Sequence, residues 1–488
     1  MLRLPALRIF FAALLVFFFT DAASAQLKLP KVFSDNMVLQ REKPLPVFGK
    51  ASPGSTVTVT FSSQHKTAVA GTDSNWMVIL DPLKASATPA ELVVKAEQTI
   101  TYKNVLVGDV WLCSGQSNME YPLDKSLKKY AGPKKGEDPS VKEIARTDKP
   151  DAIRYLYVER TLNKYPELPS KGWTNGTDTI VRYISAIGYF FGKEIFEKTN
   201  VPIGIISTSW GGTRIEPWTP DWAYQQSPVF KDSVTSPNFK IDGTHPGQMY
   251  KGMMEPLIPF AVKGVLWYQG ESNCMIEDQE TYVEKFRLLV SSWRTLFKDE
   301  QLPFYTVQIS PYLYTARKDP KKHTPELLAK FWEAQTNCLA IPNVSMVVTT
   351  DLVDNLKDIH PSYKWVVAHR LVLQAMEKTY NDHSSVTSGP VFQSVKRKKN
   401  KLIVSFTHVG KGLVSSDAQP LTWFSIAGKD GKFVNAQALI VGNEVIVYSD
   451  EIKKPKYVRF AWNETAQPNF FNSDGLPALP FRTDNIND

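Results

Sequence analysis

The chain has 488 residues, which is too long for a single ordinary hydrophobic core, so we expect two or three domains. Its hydrophobic content of 43% and charged content of 22% are typical of a folded globular protein and exclude an intrinsically disordered chain. The formal net charge of +8 is spread over short basic runs. We interpret these runs as solvated surface, and they do not indicate nucleic-acid binding.

The first 25 residues have the pattern of a secretory signal peptide. Arg3 and Arg8 precede an apolar run at 9–19, and residues 23–25, Ala-Ser-Ala, have the small-x-small form of a signal-peptidase site. The apolar run is short for a membrane span, and the sequence has no other long apolar stretch. We therefore predict export to a periplasmic, secreted or lumenal location, with no membrane attachment after cleavage.

Residues 26–104 predict a small all-β domain, a sandwich or jelly roll. Segments 56–61 and 92–96 are rich in β-branched residues, turn formers separate them, and no segment of helical period interrupts.

Between residues 105 and 385, apolar strands alternate with amphipathic helices. This pattern predicts a parallel sheet covered by helices on both faces. The predicted strands are 105–112, 203–206, 262–268, 304–309 and 344–349, and the predicted helices are 184–195, 282–297, 325–338 and 362–380. From 386 to 488 the β pattern returns, with strands predicted at 401–406, 438–441, 444–448 and 457–461. We predict a second all-β module there.

Polar and small residues follow four of the predicted parallel strands. They are Ser117, the pair Gly211 and Gly212, Asn273, and Asp358 with His360. Parallel sheets bind ligands at the edge where the carboxyl ends of their strands meet. A hydroxyl, N–H donors and an acid with an imidazole are the groups that acyl transfer requires, so this edge is a candidate active site.

At these positions the chain resembles the sialate O-acetylesterase family within the SGNH hydrolase superfamily. The matching segments are Gly-Gln-Ser-Asn-Met at 115–119, Thr-Ser-Trp-Gly-Gly-Thr at 208–213, Trp-Tyr-Gln-Gly-Glu-Ser-Asn at 267–273 and Asp-Ile-His-Pro at 358–361. Each motif is short, but their joint order is specific, and the likeness covers nearly the whole mature chain. The resemblance implies an α/β fold with a flavodoxin-like parallel sheet, flanked by N-terminal and C-terminal all-β modules.

The same resemblance implies a serine esterase that removes O-acetyl groups from a carbohydrate. Sialic acid and acetylated polysaccharides are both compatible substrates, and the reaction passes through an acyl-enzyme intermediate without a metal or organic cofactor. Carried over by position, Ser117 is the nucleophile and His360 the general base.

The acid of the triad departs from the pattern of the superfamily, in which it stands three residues before the histidine. Here Lys357 occupies that position, and Asp358 is two residues before His360. Asp358 is therefore our first candidate, with Asp354 and Glu271 as alternatives.

The resemblance also implies an oxyanion hole, built from the main-chain N–H of Ser117, that of Gly211 or Gly212, and the side chain of Asn273. Candidate substrate-binding residues in the matching segments are Gln116, Trp210, Arg214, Gln269 and Glu271. Trp210 either stacks on a sugar ring or packs in the core, and Arg214 either binds a carboxylate or forms a structural salt bridge.

Two other functions compete with the esterase hypothesis. A glycoside hydrolase needs two facing carboxylates, for which Glu216 and Glu271 are candidates, and a non-catalytic sugar-binding protein would explain the β modules. No spacing of histidine, cysteine and acid predicts a metal site. Cys113 and Cys274 either form a disulfide beside the site or are two separate buried thiols.

Overall fold

The structure is a computed structural model that describes residues 26–162, 168–318 and 321–484. The predicted signal peptide, residues 1–25, lies outside the described residues. The N-terminal strands are β1 Val38–Gln40, β2 Leu45–Lys50, β3 Thr56–Phe61, β4 Gln64–Val69, β5 Asn75–Leu80 and β6 Ser86–Lys95, followed by β7 Thr99–Gly115. The central strands are β8 Ile153–Tyr157, β9 Trp173–Asn175, β10 Ile203–Ser209, β11 Gly264–Tyr268, β12 Phe304–Val307 and β13 Val344–Val347.

Within the described residues, the α-helices all lie in the central region, between β7 and the C-terminal strands. They are α1 Ser117–Glu120, α2 Pro139–Ala145, α3 Ala186–Thr199, α4 Asp221–Gln226, α5 Glu271–Met275, α6 Tyr282–Phe297, α7 Leu327–Asn337 and α8 Lys364–Lys378. The C-terminal strands are β14 Val391–Lys398, β15 Lys401–Thr407, β16 Leu413–Ser415, β17 Phe424–Ala427, β18 Val434–Asn435, β19 Gln437–Val441, β20 Glu444–Tyr448, β21 Tyr457–Phe460, β22 Phe470–Asn472 and β23 Phe481–Arg482.

The central sheet has the strand order β13-β12-β11-β7-β10-β8-β9, and all its pairs are parallel except β8 with β9. Without β8 and β9, the parallel strands in chain order are β7, β10, β11, β12 and β13. Across the sheet they lie in the order β10-β7-β11-β12-β13, that is 2-1-3-4-5, which is the flavodoxin-like order. The predicted α/β fold is therefore confirmed. β8 is an added strand that the sequence analysis did not predict, because Arg154 interrupts its apolar run.

Helices cover both faces of this sheet. In the pairing of β7 with β11, Gly264 lies opposite Trp111 and Trp267 lies opposite Ser114. Trp111 and Trp267 are therefore three positions apart along the strand direction. Because side chains alternate between the two faces, these tryptophans lie on opposite faces of the sheet. The Trp111 ring contacts Phe191 of α3 at 4.9 Å between centroids. The Trp267 ring contacts Trp293 of α6 at 5.9 Å. Burial on both faces explains why the strands read as nearly continuous apolar runs.

Strand β7 joins the N-terminal β region to the central sheet. Its first part pairs with β6 and with β1, and its last part pairs with β10 and β11. The predicted boundary between residues 104 and 105 thus falls inside one continuous strand of 17 residues. The all-β character of the N-terminal region agrees with the prediction, but no linker separates it from the central sheet.

The C-terminal region consists of antiparallel strands, as predicted from residue 386 onward. It contains two four-stranded sheets, β14-β15-β20-β19 and β18-β17-β21-β23, and a short pair of β16 with β22. Bidentate hydrogen bonds from Arg482 to Glu333 of α7, at 2.9 and 2.8 Å, attach this region to the central domain.

The three cysteines, Cys113, Cys274 and Cys338, are buried free thiols, so the alternative of separate thiols holds and the disulfide between Cys113 and Cys274 does not form. Among the described helices, none combines the length and the apolar character that a membrane crossing would require.

Candidate active site

The site begins where β7, β10 and β11 end side by side. Gly115 pairs with Ser209 of β10 and with Tyr268 of β11, so the three strands end at one level of the sheet. A Cβ on Gly115 would lie 2.2 Å from the Tyr268 carbonyl oxygen, and the φ angle of Gly115 is +134°. Only glycine fits both conditions, and it lets the chain turn directly into α1.

The structure brings Ser117 and His360 together, although 243 positions separate them. Ser117 is the first residue of α1, and its Oγ lies 2.9 Å from Nε2 of His360. The side chain of His360 is 20% exposed, so the pair can be reached from solvent. The ring of Tyr130 lies 4.7 Å from the imidazole and covers it. The hydroxyl and the ring nitrogen are therefore within proton-transfer distance.

Asp358 is the carboxylate next to His360. Its Oδ1 lies 3.5 Å from Nδ1 of the imidazole, which is longer than an ordinary hydrogen bond, and accepts the main-chain N–H of His360 at 2.9 Å. The imidazole and this N–H lower the pKa of the Asp358 carboxyl below its ordinary value, against the effect of partial burial. Asp358 thus stays ionised beside the ring.

The two alternative acids lie in other contacts. Asp354 accepts hydrogen bonds from the Tyr363 hydroxyl at 2.9 Å and from the Lys134 main-chain N–H at 2.8 Å. Glu271 is fully buried and accepts a short hydrogen bond from the side chain of Asn118. Burial raises the pKa of Glu271, while Asn118 and the nearby charges oppose the shift. The geometry therefore favours Asp358 over both alternatives.

The candidate oxyanion donors are the main-chain N–H groups of Ser117, Gly211 and Gly212. The Ser117 amide stands at the N-terminus of α1 and has no hydrogen-bond partner among the described residues. A Cβ on Gly211 would lie 3.1 Å from Cβ of Ser117, so these two residues touch. The Gly211 N–H donates to Oε2 of Glu120 at 2.9 Å. Gly212, with φ +77° and open space around its Cα, has an N–H without a partner in the described ranges.

Asn273 differs from the expectation of an oxyanion donor. Its side-chain amide is fully buried and donates to Asp278 at 2.7 Å and to Glu216 at 3.3 Å. Its Oδ1 accepts the N–H of Ile215 at 3.0 Å and the Gln269 side-chain amide at 2.7 Å. Because both donor hydrogens are used inside the protein, this conformation offers none of them to a bound ester.

Gln116 and Gln269 also form internal structure. The Gln116 Oε1 accepts hydrogen bonds from the Gly270 N–H at 3.3 Å, the Ser272 N–H at 3.2 Å and the Gln269 side chain at 3.1 Å. These bonds hold the loop after β11 against the start of α1. Both glutamines are nearly fully buried, so they position the loops and do not face a substrate.

Trp210 and Arg214 are partly exposed. The Arg160 guanidinium lies 5.8 Å from the centre of the Trp210 ring, and Trp210 packs against the hydrophobic core as a partly buried residue, which agrees with the core alternative for this residue. Arg214 donates to the Asp242 carbonyl at 2.9 Å and lies 3.9 Å from Glu216. This agrees with the salt-bridge alternative for Arg214.

A buried polar network behind the site was missed by the sequence analysis. The Lys364 ammonium donates to Oδ1 of Asn118 at 2.6 Å, and the Asn118 amide donates to Glu271 and, at 3.0 Å, to the Ile359 carbonyl. The network links α1, α5 and α8 to the loop that carries His360. A signal was present in the sequence, because Lys364 shares one helical face with Val367 and Leu371 and so had to be buried.

Three carboxylates converge on one buried cation behind Asn273. Oxygen atoms of Glu216, Asp242 and Asp278 lie within 4.8 Å of one another, as a metal site would require. The Lys285 ammonium occupies this position, with bonds to Glu216 at 2.9 Å, to Asp278 at 2.6 Å and to Asp242. A lysine therefore supplies the positive charge that these acids need.

The amino-acid sequence matches the family model described as "carbohydrate esterase, sialic acid-specific acetylesterase" over residues 107–371, more than half of the chain. The chain belongs to this family. Membership confirms the predictions of a carboxylic ester hydrolase and of activity on O-acetylated carbohydrate, and it disfavours the glycoside hydrolase and the non-catalytic binding protein.

Similar proteins extend this family assignment over most of the chain. The human sialate O-acetylesterase is 28% identical, covering 94% of this chain and 93% of its own length. The mouse sialate O-acetylesterase is 30% identical, with 77% and 78% covered. The crystal structure of a carbohydrate acetylesterase from Xanthomonas citri is 33% identical, with a TM-score of 0.82 over 94% of this chain and 100% of that one. The esterase fold thus includes both β regions.

Proposed function

We propose that this family member is an exported serine esterase in which Ser117, His360 and Asp358 carry out acetyl transfer from a sugar to water. The observation that carries the proposal is the distance of 2.9 Å between Nε2 of His360 and Oγ of Ser117. Its substrate is O-acetylated sialic acid or an acetylated polysaccharide. A human relative is named a sialate O-acetylesterase, and the similar crystal structure is of a carbohydrate acetylesterase.

In the first step, Oγ of Ser117 attacks the acetyl carbonyl carbon while Nε2 of His360 takes the hydroxyl proton. The resulting imidazolium gives that proton to the sugar oxygen, and the carbon–oxygen bond to the sugar breaks. Asp358 holds the ring in the required orientation and stabilises its positive charge. The product of this half-reaction is acetyl-Ser117 and the free sugar hydroxyl.

The negative oxygen of the tetrahedral intermediate needs hydrogen-bond donors in place before the reaction. We assign this role to the N–H groups of Ser117 and Gly212, since the Gly211 N–H is already bonded to Glu120. In the second half-reaction His360 removes a proton from water as the water oxygen attacks the carbonyl carbon of acetyl-Ser117. The bond between that carbon and Oγ of Ser117 then breaks, the imidazolium returns its proton to Oγ, and acetate leaves.

The test is hydrolysis of nitrophenyl acetate by the purified chain and by matched variants. We expect Ser117→Ala and His360→Ala to lower kcat/KM by about 10⁴-fold or more, because each removes a member of the reacting pair. His245→Ala is the control, since the ring of His245 bonds to the Phe239 carbonyl at 3.1 Å and takes no part in the site. Equal activity of the wild type and Ser117→Ala would overturn the proposal.

The substrate is decided by acetate release from 9-O-acetyl sialic acid and from acetylated xylan under the same conditions. Preference for either compound by the wild type, abolished in Ser117→Ala, identifies the acetylated sugar that this site accepts. Release of sugar from nitrophenyl glycosides without acetate release would instead support a glycoside hydrolase.

A further inference from the structure

A second concave surface lies in the C-terminal region, away from Ser117. We call it the C-terminal groove. It encloses about 700 Å³ and is lined by Val395, Arg397, Leu402, Gly428, Lys429, Asp430, Glu451, Ile452, Lys453, Lys454, Pro455 and Lys456. Five of these residues are cations and two are acids, so the groove carries an excess of positive charge.

Four of the cations have no carboxylate partner. Arg397, Lys429, Lys453 and Lys454 are exposed, and within the described ranges no acid lies at salt-bridge distance from any of them. Because the lining has five cations and two acids, the excess of like charges repels itself, which costs folding free energy. A bound polyanion would remove this repulsion.

The groove has an apolar floor between the charged rims. Leu402 is buried at 1% exposure, and Val395 and Ile452 are half-buried beside it. A lining that combines apolar side chains with cations matches a chain of sugar rings that carry carboxylates. Lysine and arginine bind such carboxylates through charge-assisted hydrogen bonds.

The position of the groove in the fold is that of a binding site on loops. β14 leads into the hairpin at residues 399–400, the loop after β17 holds Lys429, and the loop before β21 holds Lys453 and Lys454. Loops at the end of a β-sandwich commonly carry binding residues. The other end of β21 leads to Glu464, which contacts the central domain through Thr315 at 3.1 Å. The lining of the groove includes none of the residues around Ser117, so it is a separate surface of the molecule.

We propose that the C-terminal groove binds an anionic polysaccharide through the carboxylate groups along its chain, and so keeps an acidic, acetylated substrate near the esterase site. This inference rests on the proposed function for the choice of a polysaccharide. In the hairpin beside the groove, Lys396, Lys398 and Lys401 alternate with the groove residues Val395, Arg397 and Leu402 and lie on the opposite face of the sheet. The cations of the groove lining alone therefore carry the proposal.

A nucleic acid is the other polyanion to consider. Proteins that bind single-stranded nucleic acid add aromatic platforms on which the bases stack. The residues lining the groove include no phenylalanine, tyrosine or tryptophan. The described lining thus offers charge pairing without stacking, which favours the polysaccharide.

The experiment measures binding of the full chain to polygalacturonate, with neutral xylan and double-stranded DNA as comparison ligands. The test variant is Arg397→Glu/Lys453→Glu/Lys454→Glu. The matched control is Lys31→Glu/Lys84→Glu/Lys95→Glu, which makes the same change of net charge at exposed lysines of the N-terminal region. We expect the Kd for polygalacturonate to rise at least tenfold in the groove variant and less than threefold in the control.

Salt dependence gives a second measure of the same contacts. Each cation removed from a polyanion site lowers the slope of log K against log salt by about one, so the milder variant Arg397→Gln/Lys453→Gln/Lys454→Gln should reduce it by about three. This neutral variant also keeps the test valid if charge reversal disturbs folding. Binding to xylan should be weak in every variant.

Three results would overturn the inference: no binding of the wild type to polygalacturonate, equal losses in the groove and control variants, or tighter binding of DNA than of polygalacturonate at one salt concentration. Hydrolysis of nitrophenyl acetate should be unchanged in all of these variants. A wild type that binds polygalacturonate but cleaves no acetate would refute the proposed function and leave the groove as a binding site.

Discussion

The carboxylate of Asp358 serves two neighbours because of its spacing from His360. A carboxylate that accepts the N–H of the residue two positions ahead closes an Asx turn. Here that bond, of 2.9 Å, brings Oδ1 within 3.5 Å of Nδ1 of the imidazole. A spacing of two residues can therefore orient the histidine, although the superfamily resemblance implies a spacing of three.

Substituting the acid tests this assignment. We expect Asp358→Asn to lower kcat for nitrophenyl acetate by about 10²-fold. The imidazolium loses its counter-charge, and the hydrogen bond from the His360 N–H to the side chain of residue 358 becomes weaker. Asp354→Asn is the matched control, since Asp354 bonds to Tyr363 and Lys134, and its activity should stay within about threefold of the wild type. A larger loss in Asp354→Asn than in Asp358→Asn would refute our choice of acid.

At the scale of secondary structure, the first turn of α8 supports the site. Lys364 lies four residues after His360 and reaches under the loop of this histidine to Asn118 of α1. Asn118 in turn holds the Ile359 carbonyl, next to the histidine. One asparagine thus ties the segment of Ser117 to the segment of His360, so their separation depends on a buried lysine.

Replacing this lysine should change the pH dependence of stability. Burial lowers the pKa of Lys364 from 10.5 to about 7, against the attraction of Glu271 and Asp358. Between these values the unfolded chain holds the proton more tightly, so stability rises with pH, by at most about 1.4 kcal/mol per pH unit. In Lys364→Met the rise from pH 7 to 10 should be missing in urea titrations, and kcat should fall about tenfold as Asn118 loosens.

The control for Lys364→Met is Lys378→Met at the other end of the same helix, where the ammonium bonds to the Ser345 hydroxyl at the surface. It should keep both the pH profile and the activity of the wild type. Equal gains of stability from pH 7 to 10 in Lys364→Met and the wild type would mean that burial does not lower the pKa of this lysine.

The acid cluster around Lys285 of α6 makes a separate prediction about metal ions. In Lys285→Met, the carboxylates of Glu216, Asp242 and Asp278 lose their cation, and we expect a loss of about 3 to 5 kcal/mol in the free energy of unfolding. Calcium should then raise the Tm of the variant, since three converging carboxylates suit that ion.

Calcium and EDTA should leave the Tm of the wild type unchanged. Lys251→Met provides the comparison, because it breaks a single ion pair with Asp221 at the surface. It should lose at most about 1 kcal/mol and show no response to calcium. Equal responses of the two variants to calcium would mean that the cluster does not bind the ion.

The candidate site could be predicted from the sequence as far as its residues follow strand ends. Ser117, His360 and Asp358 come together because parallel strands end at one edge, and this rule needs no knowledge of side chains. The fate of Asn273 could not be predicted in this way. Its motif position suggests a donor to substrate, but the neighbouring Asp278 and Glu216 attract its amide hydrogens inward.

At the scale of the whole molecule, the hydrophobic pattern predicted the helices and strands better than the way in which the N-terminal region connects to the central sheet. The bounds of α6 match the predicted helix 282–297, since a strong helical stripe fixes both ends. The continuity of β7 across residues 104 and 105 was not predicted. The strand changes its partners from β6 to β10 and β11, but this change leaves no interruption in the strand pattern of the sequence.

The shared strand predicts that the N-terminal region and the central sheet unfold together. Gly108 lies in the middle of β7, and a Cβ there would be 1.9 Å from the Pro202 carbonyl oxygen. In calorimetry, Gly108→Ala should lower the Tm of one common transition by several degrees. Gly54→Ala is the comparison, because a Cβ at this loop position would meet open space. It should lower the free energy of unfolding by only about 1 to 3 kcal/mol, owing to the positive φ of residue 54. Separate transitions for the two regions would contradict this prediction.

The continuity of β7 also bears on how chimeric esterases should be built. A fusion junction placed between residues 104 and 105 would cut a strand that hydrogen-bonds to β6 on one side of the cut and leads to Ser117 on the other. A graft that exchanges the N-terminal region should therefore retain all of Thr99–Gly115 from the host enzyme. The last strand of the donor segment must then pair with the host's β7, as β6 does here. Compatible donors are therefore those whose last strand can take the register of β6 on β7.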